Sequence, residues 1–212
     1  MPRDATETRD RLFREAERLF ARRGVWQVTV REITTAAGQR NPSVVHYHFG
    51  SMEGLQTAIL DRHGVELDRH RGELLAAAGP APSSRDLIDA LLVPYSACLL
   101  TESGCDYLQI VAQLSSQYSD WDRSGPAAPQ LRSILRALMA RMHGLSDPAA
   151  AERIVAIITV IGGTFAERAR RLGTRRPPVL THEQFLANLA DMLVAIVEAP
   201  VSALAGSSEK TA

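Results

Sequence analysis

Residues 29–51, TVREITTAAGQRNPSVVHYHFGS, hold two short helical runs parted by one glycine and closed by another. Thr29-Val30-Arg31-Glu32 has the spacing of a capping box: the Thr29 hydroxyl accepts the Glu32 amide, and Glu32 reaches back. Val30, Ile33 and Ala37 share one face and Gly38 stops the run, which predicts a helix over 30–37. Asn41 is a natural N-cap and Pro42 suits the first helical position, so a second helix is expected over 42–48, ending before Gly50. A run this short is not stable alone in water. It must be held by neighbours, with Val45 and Phe49 as its anchors. Two short helices joined by a glycine-containing turn make a helix-turn-helix, which offers the front of its second helix to base edges in the DNA major groove.

Helical signals continue on both sides. Over 6–23, Leu12, Ala16, Leu19 and Phe20 fall on one face with Phe13 at its flank, Arg and Glu fill the other, and Gly24 stands at the C-cap. Ser51 caps a long helix over 52–78, interrupted in composition by Gly64 and Gly72. After the loop Gly79-Pro80-Ala81-Pro82-Ser83-Ser84, helices are expected at about 85–100, 105–118, 129–143, 148–171 and 182–198. Gly104, Gly125-Pro126, Gly144, Gly173 and Pro177-Pro178 supply stops, while Asp147-Pro148 and Thr181-x-x-Gln184 supply starts. Strand signals are nearly absent. The expected fold is all-α, with about nine helices: residues 1–50 a three-helix DNA-binding domain, 51–200 a helical ligand-binding and dimerisation domain, 201–212 a loose tail.

Composition narrows the class less than the motif does. Over 212 residues, 24 basic residues balance 24 acidic ones, so net charge argues for neither nucleic acid nor membrane. Lys210 is the only lysine. Two cysteines, Cys98 and Cys105, are too few for a disulfide framework and suit a reducing compartment. MPRDATETRDRLF has no apolar run of a signal peptide, and Ile154–Gly163, the longest strongly apolar stretch, is too short to span a bilayer. A cytoplasmic protein is expected. If Cys105 opens a helix after Gly104, its thiol would be acidified, and an oxidant-sensing role becomes an alternative.

The segments "LFARRG" and "VTVREITTAAGQRNPSVVHYHFGSMEGL" resemble the DNA-binding domain of TetR-family transcriptional regulators. The shared features are the Thr-capped helix, the Ala-Ala-Gly turn, the Tyr-His-Phe-Gly ending and the following Ser-x-Glu, over about residues 8–56. The rest of the chain agrees with that family in architecture only. The resemblance implies that Gln39, Arg40, Asn41, Pro42, Ser43, Val44 and His46 stand at or near base edges. Gln39 and Asn41 suit adenine, Arg40 guanine or phosphate, and Val44 a thymine methyl. Tyr47, His48 and the Thr29 hydroxyl match phosphate-contacting positions. Many relatives carry lysine where this chain has Met52, which removes one cationic contact.

In the C-terminal part, Ile154, Val155, Ile157, Ile158, Val160, Ile161 and Phe165 cover most of a helix circumference, and 182–198 carries a broad apolar stripe. Helices apolar on two sides need a partner. A homodimer through a four-helix bundle is expected, with Ile158, Ile161, Phe165, Phe185, Leu189, Met192 and Ile196 at its interface; one larger monomeric core is the alternative. Two recognition helices about 34 Å apart would then read a palindrome of double-stranded operator DNA. Tyr95, Cys98, Tyr107, Gln113, Tyr118, Trp121, Met139 and His143 mix apolar bulk with polar tips, as a small-molecule site does, and equally as an ordinary core does. Pro94 suggests a kink that opens space, and 120–126 a flap. His46 and His48 diverge on a helix, whereas His63 and His70 share a face, as packed histidines or as a metal or proton site. No cofactor is expected. The leading reading is a TetR-like regulator, a repressor released from its operator by a small effector. The competitors are a helix-turn-helix fold that binds protein and an all-α enzyme, for which no catalytic motif is present.

Overall fold

A computed structural model describes residues 2–114, 128–172, 174 and 178–202, with side chains from residue 5 onward. The expected helix end at 115–118, the 120–126 segment and residues 203–212 lie outside the described residues, as do Tyr118 and Trp121. Among the described residues there are nine helices and no strand. They are α1 Pro2–Arg23, α2 Val30–Ala36, α3 Ser43–Phe49, α4 Met52–Ala78, α5 Ser84–Cys98, α6 Glu102–Leu114, α7 Pro129–Met139, α8 Asp147–Leu172 and α9 His182–Glu198.

The helix starts follow the cap chemistry. Thr29 and Glu32 form the reciprocal box, with the Glu32 amide 3.3 Å from Thr29 Oγ1 and the Thr29 amide 2.8 Å from Glu32 Oε2. Ser51 accepts the Gly54 amide, and Thr181 with Gln184 repeats the box at α9. Ser83 and Asp86 form a further box that begins α5 at Ser84. At α3 the helix begins one residue later than expected: Pro42 is the cap, and Asn41 Oδ1 accepts the Ser43 amide at 3.0 Å. Gly38 and Gly50 take positive φ of 70° and 78°, which is why glycine ends α2 and α3 so sharply.

α4 runs unbroken through Gly64 and Gly72 over the expected range, Met52–Ala78. Four other expectations are corrected. Gly104 is no stop: α6 starts at Glu102, and Gly104 sits so tightly on α5 that a Cβ would overlap the Cys98 carbonyl. Cys105 therefore lies inside the helix, and α7 ends at Met139 because the chain turns before Gly144. Glu17, assigned to the solvent face of α1, is 3% exposed.

Two apolar cores organise the chain. The first gathers Leu12, Phe13, Ala16 and Phe20 of α1, Ile33 of α2, Val45 of α3, Leu55 and Ile59 of α4, and Ile110 and Leu114 of α6. The second gathers α5, α7, α8 and α9 around Ile88, Leu92, Ile134, Leu138, Ile154, Phe165 and Leu193. α8 packs along α6, and α9 along α5. By length and composition α8 could cross a membrane, but Ile154, Ile157, Ile161 and Phe165 are spent in this core.

Of the expected partner face, Ile161, Phe165 and Leu189 are buried within the chain itself. Ile158, Phe185 and Ile196 are half-buried, and Met192 is 48% exposed. The glycine pair divides likewise: Gly162 meets α6 at Ala112, and a Cβ on Gly163 would meet nothing.

Candidate nucleic-acid interface

The short α3 is held from beneath. Val45 is 1% exposed and joins Ile33, Phe20 and Ile59, while Phe49 is half-buried with the Arg9 guanidinium 5.0 Å above its ring. This support leaves the opposite side of α3 free. Arg40, Asn41, Pro42, Ser43, His46 and Tyr47 are exposed together; Gln39, Val44 and His48 are half-exposed beside them. Tyr47 is 80% exposed, and its ring meets His48 edge-on at 4.9 Å. A tyrosine left so open at the end of a rigid helix is available to a partner rather than to the core.

Two polar groups in this set already have work. Asn41 Oδ1 accepts the Ser43 amide, so Asn41 offers a base chiefly its Nδ2 donor. The Thr29 hydroxyl donates to Glu32 Oε2 at 2.8 Å. Glu32 is also bound by Arg23 at 2.7 Å. The Thr29 amide and hydroxyl, then Arg23, hold the Glu32 carboxyl down to about 2, so it stays ionised and keeps α2 capped. Arg31, exposed on α2 next to this cap, is a cation that the sequence reading passed over.

The expected small-molecule residues separate into three places. Tyr95, Cys98 and Tyr107 come together with Leu67 of α4. Gln113 does not join them. It bridges α6 to α1, accepting the Val25 amide at 2.7 Å and donating to the Phe20 carbonyl at 3.2 Å. Met139 and His143 lie at the end of α7, in a depression with Arg136 and Met142. A groove of about 400 Å³ runs between α4 and the α5–α6 corner, walled by His63, Leu67, His70, Pro94 and Cys98 among others.

Burial raises the Cys98 thiol to about 11, and burial with Asp106 and Glu102 raises Cys105. Burial thus works against the acidified thiol that an oxidant sensor uses, and Cys105 does not open its helix.

Three polar features escaped the sequence reading. Asp68, 5% exposed on α4, caps α7 from outside: the Gln130 and Leu131 amides donate to its two oxygens at 3.0 and 2.8 Å. Arg71 is 2% exposed, with Nη1 3.6 Å from Asp68 and its guanidinium 5.5 Å over the Tyr95 ring. Glu17 of α1, His63 of α4 and Ser103 of α6 form a cluster at the junction of the two cores. His63 Nε2 lies 2.7 Å from Glu17 Oε1, Ser103 Oγ donates to Glu17 Oε2 at 2.6 Å, and the His63 ring stacks on Tyr107 at 4.4 Å. The trio has the residue types of a hydrolase relay but not the geometry. A relay needs acid and nucleophile on opposite ring nitrogens, and here both face Nε2. The signal was present at 13, 17 and 20, a spacing that puts Glu17 on the apolar side of α1.

Residues 12–59 match the family described as bacterial regulatory proteins, tetR family. No curated protein matches the chain. Among solved structures, NalD, the secondary repressor of the MexAB-OprM multidrug efflux pump in Pseudomonas aeruginosa, is similar with TM-score 0.54 and 18% identity, over 90% of this chain and 95% of that one. A gamma-butyrolactone receptor (ArpA-like protein) is similar with TM-score 0.49 and 21% identity, over 90% and 98%. The fold is thus TetR-like and all-α, and residues 12–59 carry the sequence pattern of that family of transcriptional regulators.

Proposed function

We propose that this chain is a cytoplasmic, TetR-like transcriptional repressor, a homodimer that binds a palindromic operator through α3 and is released by a small-molecule effector. Its domains are then residues 1–50 for DNA and 51–200 for effector and partner. The observation that carries the reading is the split of α3: Val45 fixed in the core, Ser43, His46 and Tyr47 exposed on the other side, and Arg40 exposed in the turn before it, within the segment that matches the family. In this reading Gln39, Arg40, Asn41, Pro42, Ser43, Val44 and His46 meet base edges, and Thr29, Tyr47 and His48 meet phosphates. The exposed Gly163 and Met192 and the half-buried Ile158 and Ile196, on α8 and α9, form the partner face. The effector enters beside Tyr95, Cys98 and Tyr107.

The test is selection of tight binders from random duplex DNA by the purified chain, followed by anisotropy at two salt concentrations and sedimentation. A palindrome is expected, bound by a dimer, with affinity falling steeply as salt rises. Arg40→Ala and Tyr47→Ala should each weaken binding by about tenfold or more with the fold intact, a loss of about 1–3 kcal/mol per contact. Recovery of no sequence above background from folded, ligand-free protein would refute the reading.

A further inference from the structure

We infer that the effector is an organic anion, a carboxylate on an apolar body, and that Arg71 is the residue that receives its charge. The inference rests on the reading of the chain as an effector-controlled regulator and names the chemistry of that same site.

A guanidinium 2% exposed to water needs its donors satisfied and its charge balanced. Arg71 has neither in full. Its Nε–H, buried, has no acceptor among the described residues. Its acidic companion, Asp68, lies 3.6 Å away, beyond hydrogen-bond distance, and spends both oxygens on the Gln130 and Leu131 amides. The Asp68 charge is thus shared with the positive end of the α7 helix dipole, and Arg71 keeps an excess. The guanidinium is braced over the Tyr95 ring, so its planar fork is oriented before anything binds.

The surroundings suit the rest of such a molecule. Tyr95 and Cys98 pack with Leu67 and Tyr107, and Leu67 and Cys98 also wall the groove of about 400 Å³. Arg71 is not itself a wall of the groove; it lies one helical turn along α4 from Leu67, which is. An arginine whose Nε–H lacks an acceptor pairs well with a planar two-oxygen anion, and Leu67, Pro94, Ala97 and Cys98 offer apolar surface to an aromatic or aliphatic tail. A neutral carbonyl could accept the Nε–H but would leave the buried charge unbalanced.

The experiment uses the full chain without DNA, with octanoate and 4-phenylbutyrate as probes and their primary amides as neutral controls, followed by thermal shift and calorimetry. The carboxylates should stabilise the wild type saturably and the amides should not. Arg71→Met should weaken carboxylate binding by about ten- to a hundredfold, the range for losing a charged hydrogen bond. Arg71→Lys should retain part of the affinity, as a point charge without the fork. Unliganded Arg71→Met should melt no lower than the wild type, because it removes an unbalanced buried charge. Amides that stabilise as well as carboxylates, carboxylates that stabilise nothing, or a methionine variant that binds them undiminished would each overturn the inference. Should the methionine variant fail to fold, the acid-against-amide comparison in the wild type still decides. A chain that ignores carboxylates yet binds a palindrome sinks only this inference. A chain that binds carboxylates but no DNA sinks only the operator reading.

Discussion

Asp106 carries a cost at neutral pH that one substitution should remove. It sits on α6, 9% exposed, near Glu17 and Glu102. Burial first, and Glu17 next, raise its carboxyl from 3.8 to about 6, against the opposing pull of Arg22 and Arg18. A carboxyl raised in the folded state binds more protons folded than unfolded between those two values. Its contribution to stability is therefore full below pH 3.8 and lost as pH rises through about 6. At 1.36 kcal/mol per pH unit the interval amounts to about 3 kcal/mol. Asp106→Asn keeps the shape and removes the charge. The amide must still be accommodated, so the expected gain at pH 7.5 is about 1–3 kcal/mol, or roughly 2–10 °C in melting temperature for a chain of this size. The assay is urea unfolding of both proteins at half-unit steps from pH 4 to 8, reading the difference between them. Subtraction removes Glu32, Asp86 and Glu53, whose lowered values tilt the individual curves in the opposite direction. The difference should be largest at pH 7.5 and vanish towards pH 4. A variant no more stable at pH 7.5, or a gain that persists unchanged to pH 4, would refute the reasoning.

Two further outcomes test the contacts between helices. Gln113→Leu strands the Val25 amide, while the Phe20 carbonyl keeps the Gly24 amide, and should cost about 1–3 kcal/mol by chemical unfolding; a loss below about 0.5 kcal/mol would mean water replaces the side chain. Gly104→Ala places a methyl against the Cys98 carbonyl, so α5 and α6 must part; a drop of about 1–3 kcal/mol is expected, whereas a neutral result would show the corner to be yielding.

What could be read in advance was whatever lies along the chain. Thr29 with Glu32, Ser51 and Thr181 with Gln184 are local chemistry, and each begins its helix where spacing puts it. What could not be read was whatever lies across it. Asp68 caps a helix some sixty residues away, and Gln113 closes the end of another about ninety residues back. Both look like ordinary polar residues on amphipathic helices until the partner is in place. Gly104 misled for the same reason: glycine serves as a stop or as a point of close approach, and only the position of Cys98 decides which. The apolar residues of α8 were legible as buried but not by what. α6 covers one side, which leaves a narrower outer face than the all-round pattern implied.

The same cross-chain contacts constrain how an operator and an effector would communicate. The N-terminal core ends in residues of α4 and α6, namely Leu55, Ile59, Ile110 and Leu114. α4 continues past His63 to Leu67, Asp68 and Arg71, where it meets the start of α7 and the Tyr95 ring. At its other end Gly54 lies so close to the Phe49 carbonyl that a Cβ there would overlap it, so α3 follows the start of α4. Under the proposed reading, an anion drawn to Arg71 acts on a helix that bears directly on the recognition helix. The Glu17–His63–Ser103 cluster is where that helix is fastened to α1 and α6. Loosening the fastening should therefore weaken coupling without touching either site. Glu17→Gln keeps the shape of the side chain and replaces one of the carboxyl oxygens that meet the His63 ring and the Ser103 hydroxyl, at a position that lines neither site. Operator and effector should each still bind alone, while the factor by which one weakens the other shrinks, equally in both directions because the linkage is reciprocal. A coupling factor unchanged by this substitution would mean that the two sites communicate by another route.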